Sequence, residues 1–336
     1  MASLNYKSGD EWKKVAGGKT GVLTFNGRAG VVTPKEGDYS AEMVGARPNT
    51  WMPNIAEVGG VNPNLLDNWY FANPVNQRGL TIYEAGQKAH VYTIDRWWLD
   101  TWYRILTIVT GGISLSVSVD GGCSLCQLVE GLEQLDGMTV TLSVMVNGTV
   151  RSKTGVLERG SFSVGSGSEG NVGLSWSADF NCYNVYMYTS NPDNVFQAIK
   201  LELGSTQTLA HQDTDGNWVL NEIPDYGEEL QKCRRYYRQS FEGSDPTGKY
   251  GWCVFTAGSN NGGVAVSWED PMRASPTVTV YDSSGVEGAV KSWDGSQNPT
   301  GIYSHYYSPY GFALCGVGAF TKGNTYHFHY TASADL

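Results

Sequence analysis

The sequence predicts a mainly β protein: an extended N-terminal segment, a β-sandwich (jelly roll), a short helical neck and a distal β-sandwich-like domain. Three observations carry this. Segments such as Ile113–Val119 (ISLSVSV) and Val140–Val146 (VTLSVMV) alternate apolar and polar residues, the period of a half-buried strand. The 336 residues include 42 Gly, 20 Tyr and 11 Trp but only 17% charged residues, a composition of turn-rich β structure with aromatic surfaces. One stretch alone, Ile223–Ser240, reads as a helix. A chain of this length has room for two or three domains with sizeable cores.

Residues 1–60 are poor in core material. Glycines at 17, 18, 21, 27, 30, 37 and 45 separate short apolar pairs. Such a segment cannot close a core alone and is expected to be extended, stabilised by other chains or a docking partner. Pro48, Pro53 and Pro63 then punctuate a linker around Gly59-Gly60.

The second part, 61–209, holds many short strands. Asn147-Gly148 after Val140–Val146 is a strong hairpin signal, with Val150 beyond it. Leu174–Trp176 and Val185–Tyr188 follow, and Phe196–Leu203 closes the block. Antiparallel strands at this spacing indicate a sandwich or jelly roll.

Residues 210–240 form a linker and neck. Asp215-Gly216 marks a turn, and a helix follows in which Asp225 and Glu228 have capping-box spacing. Leu230, Cys233 and Tyr237 share one face, and Arg234, Arg235 and Arg238 lie near the C-terminal end, where the helix dipole favours cations. A helix of roughly 13 residues is marginal alone, so its stripe must pack on a flanking domain or around a symmetry axis; it is expected to be held partly by the domain that follows it, with any trimer axis shared with that domain's strands. The last part, 241–336, is again β, with strands expected at Trp252–Thr256, Val264–Trp268, Thr277–Tyr281 and Thr325–Thr331.

The formal charge is −10, from 23 Lys and Arg against 33 Asp and Glu. An acidic chain without a basic run is poorly matched to nucleic acid or an anionic membrane. The N-terminus MASLNYKSGDEWKKV lacks the apolar core of a signal peptide, and no stretch approaches the ~18 apolar residues of a membrane span. Six scattered cysteines do not suggest a disulfide framework, so free buried thiols, made in a reducing cytoplasm, are expected.

No catalytic signature is present: no G-x-S-x-G, no H-E-x-x-H, no P-loop. Glu57, Asp95, Asp100, Glu130 and Glu133 are carboxylates with no sign of glycosidase pairing. Cys123 and Cys126 (C-S-L-C) have the spacing of half a zinc site or a redox pair, but the segment alternates like a strand start and lacks a second ligand pair, which favours buried thiols. His327 and His329 share one face of a strand. A metal bound by them is weighed against a solvent face or packing at a trimer seam, which is favoured. No metal or catalytic residue is assigned.

Two aromatic clusters remain. In DRWWLDTWYR, Trp97 and Trp102 are expected in the core and Trp98 on the surface. In the second, Tyr303, His305, Tyr306, Tyr307 and Tyr310 lie among Gly, Ser and Pro, with Trp293 upstream, and this places them on a loop. Aromatic faces with hydroxyl or imidazole tips suit contacts to glycans or proteins. Receptor-binding candidates are therefore Trp98, Trp293, Tyr303, His305, Tyr306, Tyr307 and Tyr310.

Four stretches carry a resemblance. FNGRAGVVTPKEGDY followed by MVGA, over Leu23–Ala46, is similar to a module of bacteriophage and prophage tail fibre proteins. The NLLDNWYF opening, YTIDRW and the closing KLELG resemble the carbohydrate-binding-module-like jelly rolls of such fibres, over Asn64–Ser205. PDYGEELQKCRRYY and TYHFHYTASADL resemble the region before the tip and the distal end of the same proteins. The resemblance implies a homotrimeric virion component, made in the host cytoplasm. Its N-terminus would join phage tail or baseplate proteins, and its tip would bind a host cell-surface glycan or protein. It implies no cofactor, leaves room for a structural calcium ion in the jelly roll, and implies no nucleic-acid partner or membrane insertion. Two other functions stand beside receptor binding: a structural fibre or adaptor, and a polysaccharide depolymerase.

Overall fold

The computed structural model describes residues 5–14, 22–25, 28–30, 60–100, 102–117, 125–249 and 253–335. The chain divides into two units, Met1–Pro53 and Asn54–Leu336. In the first, β1 (Asn5–Ser8) pairs antiparallel with β2 (Glu11–Lys14), and β3 (Val22–Phe25) with β4 (Arg28–Gly30). Most of the glycine-rich segment, the linker around Pro53 and Cys123 lie outside the described residues.

The second unit begins with a β-sandwich. Its strands in order are β5 (Ile82–Glu84), β6 (Val91–Tyr92), β7 (Trp98–Leu99), β8 (Ile105–Val109), β9 (Gly112–Leu115) and β10 (Leu125–Val129). They are followed by β11 (Thr139–Val146), β12 (Thr149–Val156), β13 (Ser161–Val164), β14 (Asn171–Ser177), β15 (Cys182–Tyr188) and β16 (Val195–Leu203). Two six-stranded sheets result, β13-β14-β15-β10-β7-β6 and β12-β11-β16-β9-β8-β5. Apolar residues of both sheets, among them Leu99, Leu125, Val140, Leu142, Val144, Val185, Met187, Ile199 and Leu201, fill one core.

The local signals that build this are visible in the chain. Asn147 and Gly148 both take positive φ, 47° and 72°, which is what a two-residue hairpin between right-twisted strands requires. Val146 then faces Thr149, and the register runs back to Thr139 and Val156. The strand predicted at Ile113–Val119 is assigned only to Leu115, and residues 118–124 lie outside the description.

The polar stretch after the sandwich is a docked hairpin rather than a linker. Strands β17 (Ala210–Gln212) and β18 (Trp218–Leu220) flank a turn with Gly216 at φ 82°, and Leu209 and Ala210 join the sandwich core. Nearby, Lys200 is fully buried and its Nζ donates to Glu222 at 3.0 Å. Glu202 accepts from the backbone and hydroxyl of Thr208.

The helix is shorter than expected. α1 covers Tyr226–Cys233, and Asp225 caps it by accepting from the Glu228 backbone N–H at 3.0 Å. The chain then tightens through turns and enters β19 (Tyr237–Gln239), which pairs Tyr237 with Ser333 near the C-terminus. Ladder pairing of a strand-favouring tyrosine overrides the helical period at this point. Arg238, expected at a helix end, instead donates to the Asp270 and Arg234 carbonyls.

The distal strands are β20 (Cys253–Thr256), β21 (Gly262–Ser267), β22 (Thr277–Tyr281), β23 (Lys291–Ser292), β24 (Tyr303–Ser308), β25 (Gly311–Gly316) and β26 (Thr325–Ser333). The nine-residue β26 is the spine: β19, β20, β22 and β23 all pair with it. A second sheet, β21-β25-β24, packs beside it, and Phe255, Phe312, Leu314, Phe320, Tyr326 and Phe328 form the core between them. Tyr326, Phe328 and Tyr330 are buried as alternation predicts, but His327 and His329 are buried too. The solvent-face or trimer-seam expectation for them is corrected, because Trp293 and Phe241 close over that face with rings 5.9 and 5.5 Å away. Burial lowers the pKa of both imidazoles.

Sandwich and distal strands meet through a buried polar joint. The Arg78 guanidinium lies 3.8 Å from the Tyr237 ring centroid and pairs with Asp335 at 2.6 Å and Asp95 at 3.3 Å. Arg96 sits 3.5 Å over Tyr236 and pairs with Asp67 at 2.9 Å. The Tyr236 hydroxyl donates to Glu130, which also receives Arg273, and Arg273 donates to the Ala334 carbonyl. The buried Glu229 carboxylate of α1 accepts from the Asn68 backbone N–H at 2.7 Å and from Lys232. The helix therefore docks on the preceding sandwich and not only on the domain that follows it, whose Asp270 accepts from Gln231 at 3.1 Å.

Two outcomes test the joint. Arg78→Met leaves Asp95 and Asp335 without their cation and should cost about 3–5 kcal/mol in urea unfolding. Asp95 is raised from its ordinary value to about 6, first by burial, with Asp335 adding to the rise. A raised acid holds its cost above pH 6 and sheds it as pH falls from there toward the unfolded value of about 4. Wild type should therefore gain melting temperature relative to Asp95→Asn between pH 7 and pH 5; a constant difference contradicts this.

Candidate functional site: an exposed aromatic hairpin

Strand β24 carries the second aromatic cluster. Ser304 points inward and donates to the Val278 carbonyl at 3.0 Å, so its neighbours Tyr303 and His305 face out. The register with β25 then slips. His305 faces Ala313 and Ser308 faces Gly311, so Tyr306 and Tyr307 together oppose only Phe312. This is a β-bulge, and Tyr306 within it takes φ 51°, a left-handed conformation that an aromatic residue rarely adopts. Bulges re-aim side chains, and Tyr306 is 76% exposed.

The rings form a row. Tyr303 and His305 have centroids 6.2 Å apart, and His305 and Tyr306 4.2 Å apart. Tyr307 folds back, donating its hydroxyl to the Ser304 carbonyl at 2.7 Å and lying 3.2 Å from the Ser304 hydroxyl. Tyr310 stands on the turn into β25. That turn is pinned by two backbone donors, Trp268 N–H to the Tyr310 carbonyl at 2.9 Å and Met272 N–H to the Pro309 carbonyl at 2.7 Å. Gly311 is required there: a Cβ would lie 2.1 Å from the Val266 carbonyl oxygen. The expected loop is thus a strand, bulge and tight turn, and the aromatics sit on rigid backbone.

Trp293 is exposed but belongs to a separate cleft of about 550 Å³ with Lys249, Lys291, Asp294 and His327. Its turn is held by Asp294, whose carboxyl is lowered to about 2 by hydrogen bonds from Ser292 and Ser296.

The assignments in DRWWLDTWYR are corrected. Trp97 is buried, donating its Nε1–H to the Asn68 carbonyl at 3.0 Å, as expected. Trp98 is only 3% exposed, against Cys126, Leu128 and Cys182 on the outer surface of its sheet. Trp102 and Tyr103 are the exposed pair, on the turn between β7 and β8, where Tyr103 takes φ 60°. Side chains of adjacent strand residues point to opposite faces, but both faces are covered here, so alternation could not identify the exposed one.

The titratable groups have structural work. Asp95 and Glu130 belong to the joint described above. Cys126, Cys182 and Cys233 are buried, and burial pushes the Cys182 and Cys233 thiols up. Among the described residues, no group of three or more His, Cys, Asp or Glu side chains is placed to hold a metal ion. Comparison with known protein families, with curated proteins and with solved structures finds nothing that matches this chain.

Tyr306→Gly separates the fold from the site. Relief of a left-handed non-glycine residue is worth about 1 kcal/mol, and the added chain entropy of glycine costs about 0.5–1 kcal/mol. Stability should change by less than about 1 kcal/mol in thermal or urea unfolding, because the two terms offset. A larger loss would show that the Tyr306 ring is part of the fold.

Proposed function

We propose that this chain is a bacteriophage or prophage tail fibre protein that binds the host bacterial surface, a glycan or a surface protein, during adsorption. The observation that carries the reading is the exposed row Tyr303, His305 and Tyr306, held on a strained bulge with Tyr310 beside it. Rings prearranged on rigid backbone lose little conformational freedom on binding, which is the economy that recognition surfaces use. The fibre resemblance at both ends and in the middle of the chain supports the same reading.

On this reading the sandwich is a carbohydrate-binding-module-like jelly roll, the N-terminal segment attaches to the phage tail or baseplate, and the protein acts as a homotrimer in the virion. The mechanism is binding rather than bond cleavage. Three copies of a weak site reach useful avidity when a surface presents its ligand densely, by factors of about 10² to 10⁴.

Adsorption to intact host cells tests this. The double change of Tyr303 and Tyr306 to Ala should reduce binding of the labelled protein at least about tenfold, the loss of roughly 1.4 kcal/mol per site, with melting little altered. Unchanged binding by a folded variant leaves the protein a structural fibre or adaptor. Release of oligosaccharide from capsule or wall preparations would make it a depolymerase. Light scattering after size-exclusion chromatography should give three times the chain mass, and a monomer sinks the fibre assembly.

A further inference from the structure

The face of β26 that carries His327 opens into the cleft of about 550 Å³ that Trp293 borders. Strand β23 places Lys291 directly opposite His327, so the two side chains of this antiparallel pair share one sheet face. The Trp293 ring meets His327 edge-on, with centroids 5.9 Å apart, and is 61% exposed. Lys249, from the turn before β20, lines the same cleft, together with Ser283 and Ser284 of the turn after β22. Among the described residues Asp294 is the one acid of the lining. Its Oδ1 is taken up by three donors of its own turn, the Ser292 hydroxyl at 2.7 Å, the Ser296 hydroxyl at 2.8 Å and the Ser296 N–H at 3.0 Å.

Two lysines against one aspartate make this lining net cationic, in a chain whose formal charge is −10. Both lysines are half-buried. Other enclosed cations of the chain have a carboxylate: Arg78 has Asp95 and Asp335, Arg96 has Asp67, and Lys200 has Glu222. Among the described residues Lys249 and Lys291 form no ion pair. A cation drawn partly out of water without a partner is unfavourable. Burial first, then His329 and Lys291, hold His327 below its ordinary value, so the Lys291 charge is felt inside the cleft. An anion seated there would remove the imbalance.

We propose that this cleft binds a phosphate monoester, with the phosphate beside Lys291 and His327 and the organic part against Trp293. The donors decide between anions. A carboxylate is matched best by the planar fork of an arginine, and among the described residues no arginine lines the cleft. Ammonium groups act as point charges, and together with the Ser283 and Ser284 hydroxyls they suit a tetrahedral anion that accepts from several sides. The volume exceeds that of a bare phosphate and falls in the range of small-molecule sites. The exposed Trp293 ring gives the carrier an apolar surface. This site shares no residue with the tyrosine hairpin and does not depend on the fibre reading.

Equilibrium dialysis of the full chain against radiolabelled inorganic phosphate tests the site, at about 0.15 M salt to screen long-range attraction. One phosphate per chain should bind saturably, with a Kd of about 1 mM or below. Unlabelled glycerol 3-phosphate should displace it, and glycerol and acetate should not. Lys291→Met should weaken binding at least about tenfold, the effect of one lost charge-assisted hydrogen bond, and Lys291→Arg, which keeps the charge, should retain most of it. Ser283→Glu, which brings a carboxylate into the cleft, should abolish binding and keeps the test decisive if Lys291→Met does not fold. Lys322→Met removes an exposed lysine outside the cleft and should leave binding unchanged. Absence of saturable phosphate binding overturns the proposal. So does failure of glycerol 3-phosphate to displace it, displacement by acetate to the same extent, or an equal loss in Lys322→Met.

Discussion

One guanidinium sits at the centre of the joint between the sandwich and the distal strands. Arg78 enters from the sandwich, lies against Tyr237 and faces both Asp95 and Asp335. Its charge is favoured there despite burial because two carboxylates share it, and the corresponding strain falls on Asp95. A buried ion pair adds little net stability over packed apolar side chains, but a half-broken one is costly. The joint therefore tolerates one arrangement and penalises near misses. Asp335 lies two residues past the end of β26, so this group ties the spine of the distal sheets to the sandwich.

From that spine the rest of the distal architecture is determined. Four strands pair with β26, one of them joined to α1 by a few residues, so the helix, the sandwich and the C-terminus are closed into one packed body. A hairpin mounted on such a body can hold strain. The left-handed Tyr306 is kept in place by β25 on one side and by the Ser304 contacts to Val278 and Tyr307 beneath. Recognition surfaces benefit from this arrangement, because the cost of ordering the rings is met during folding rather than at binding.

The legible parts of the fold were those with short-range causes. Val140–Val146 with Asn147-Gly148 reads as strand and turn because alternation and left-handed propensity are local properties, and both are found in place. The cap at Asp225 was legible for the same reason. The end of the helix was not. Tyr237 keeps the helical period in sequence, yet its backbone pairs with Ser333, almost a hundred positions away. The aromatic-rich 303–310 stretch was legible as a surface, but its bulge was not, since the slip depends on which residues of β25 lie opposite.

The sequence by itself determined that this is a β protein, where strands such as Val140–Val146 and Thr277–Tyr281 and the Asn147-Gly148 turn lie, that one short helix separates two strand-rich regions, and that the distal part carries an aromatic-rich stretch. Only the tertiary structure decided that Trp98 is covered while Trp102 is not, that His327 and His329 are enclosed, and that the helix docks through Glu229 onto Asn68. Periodicity states that two faces differ; it does not state what covers each. That is settled by partners such as Asn68 and Glu229, separated by 161 positions, whose encounter no local pattern encodes.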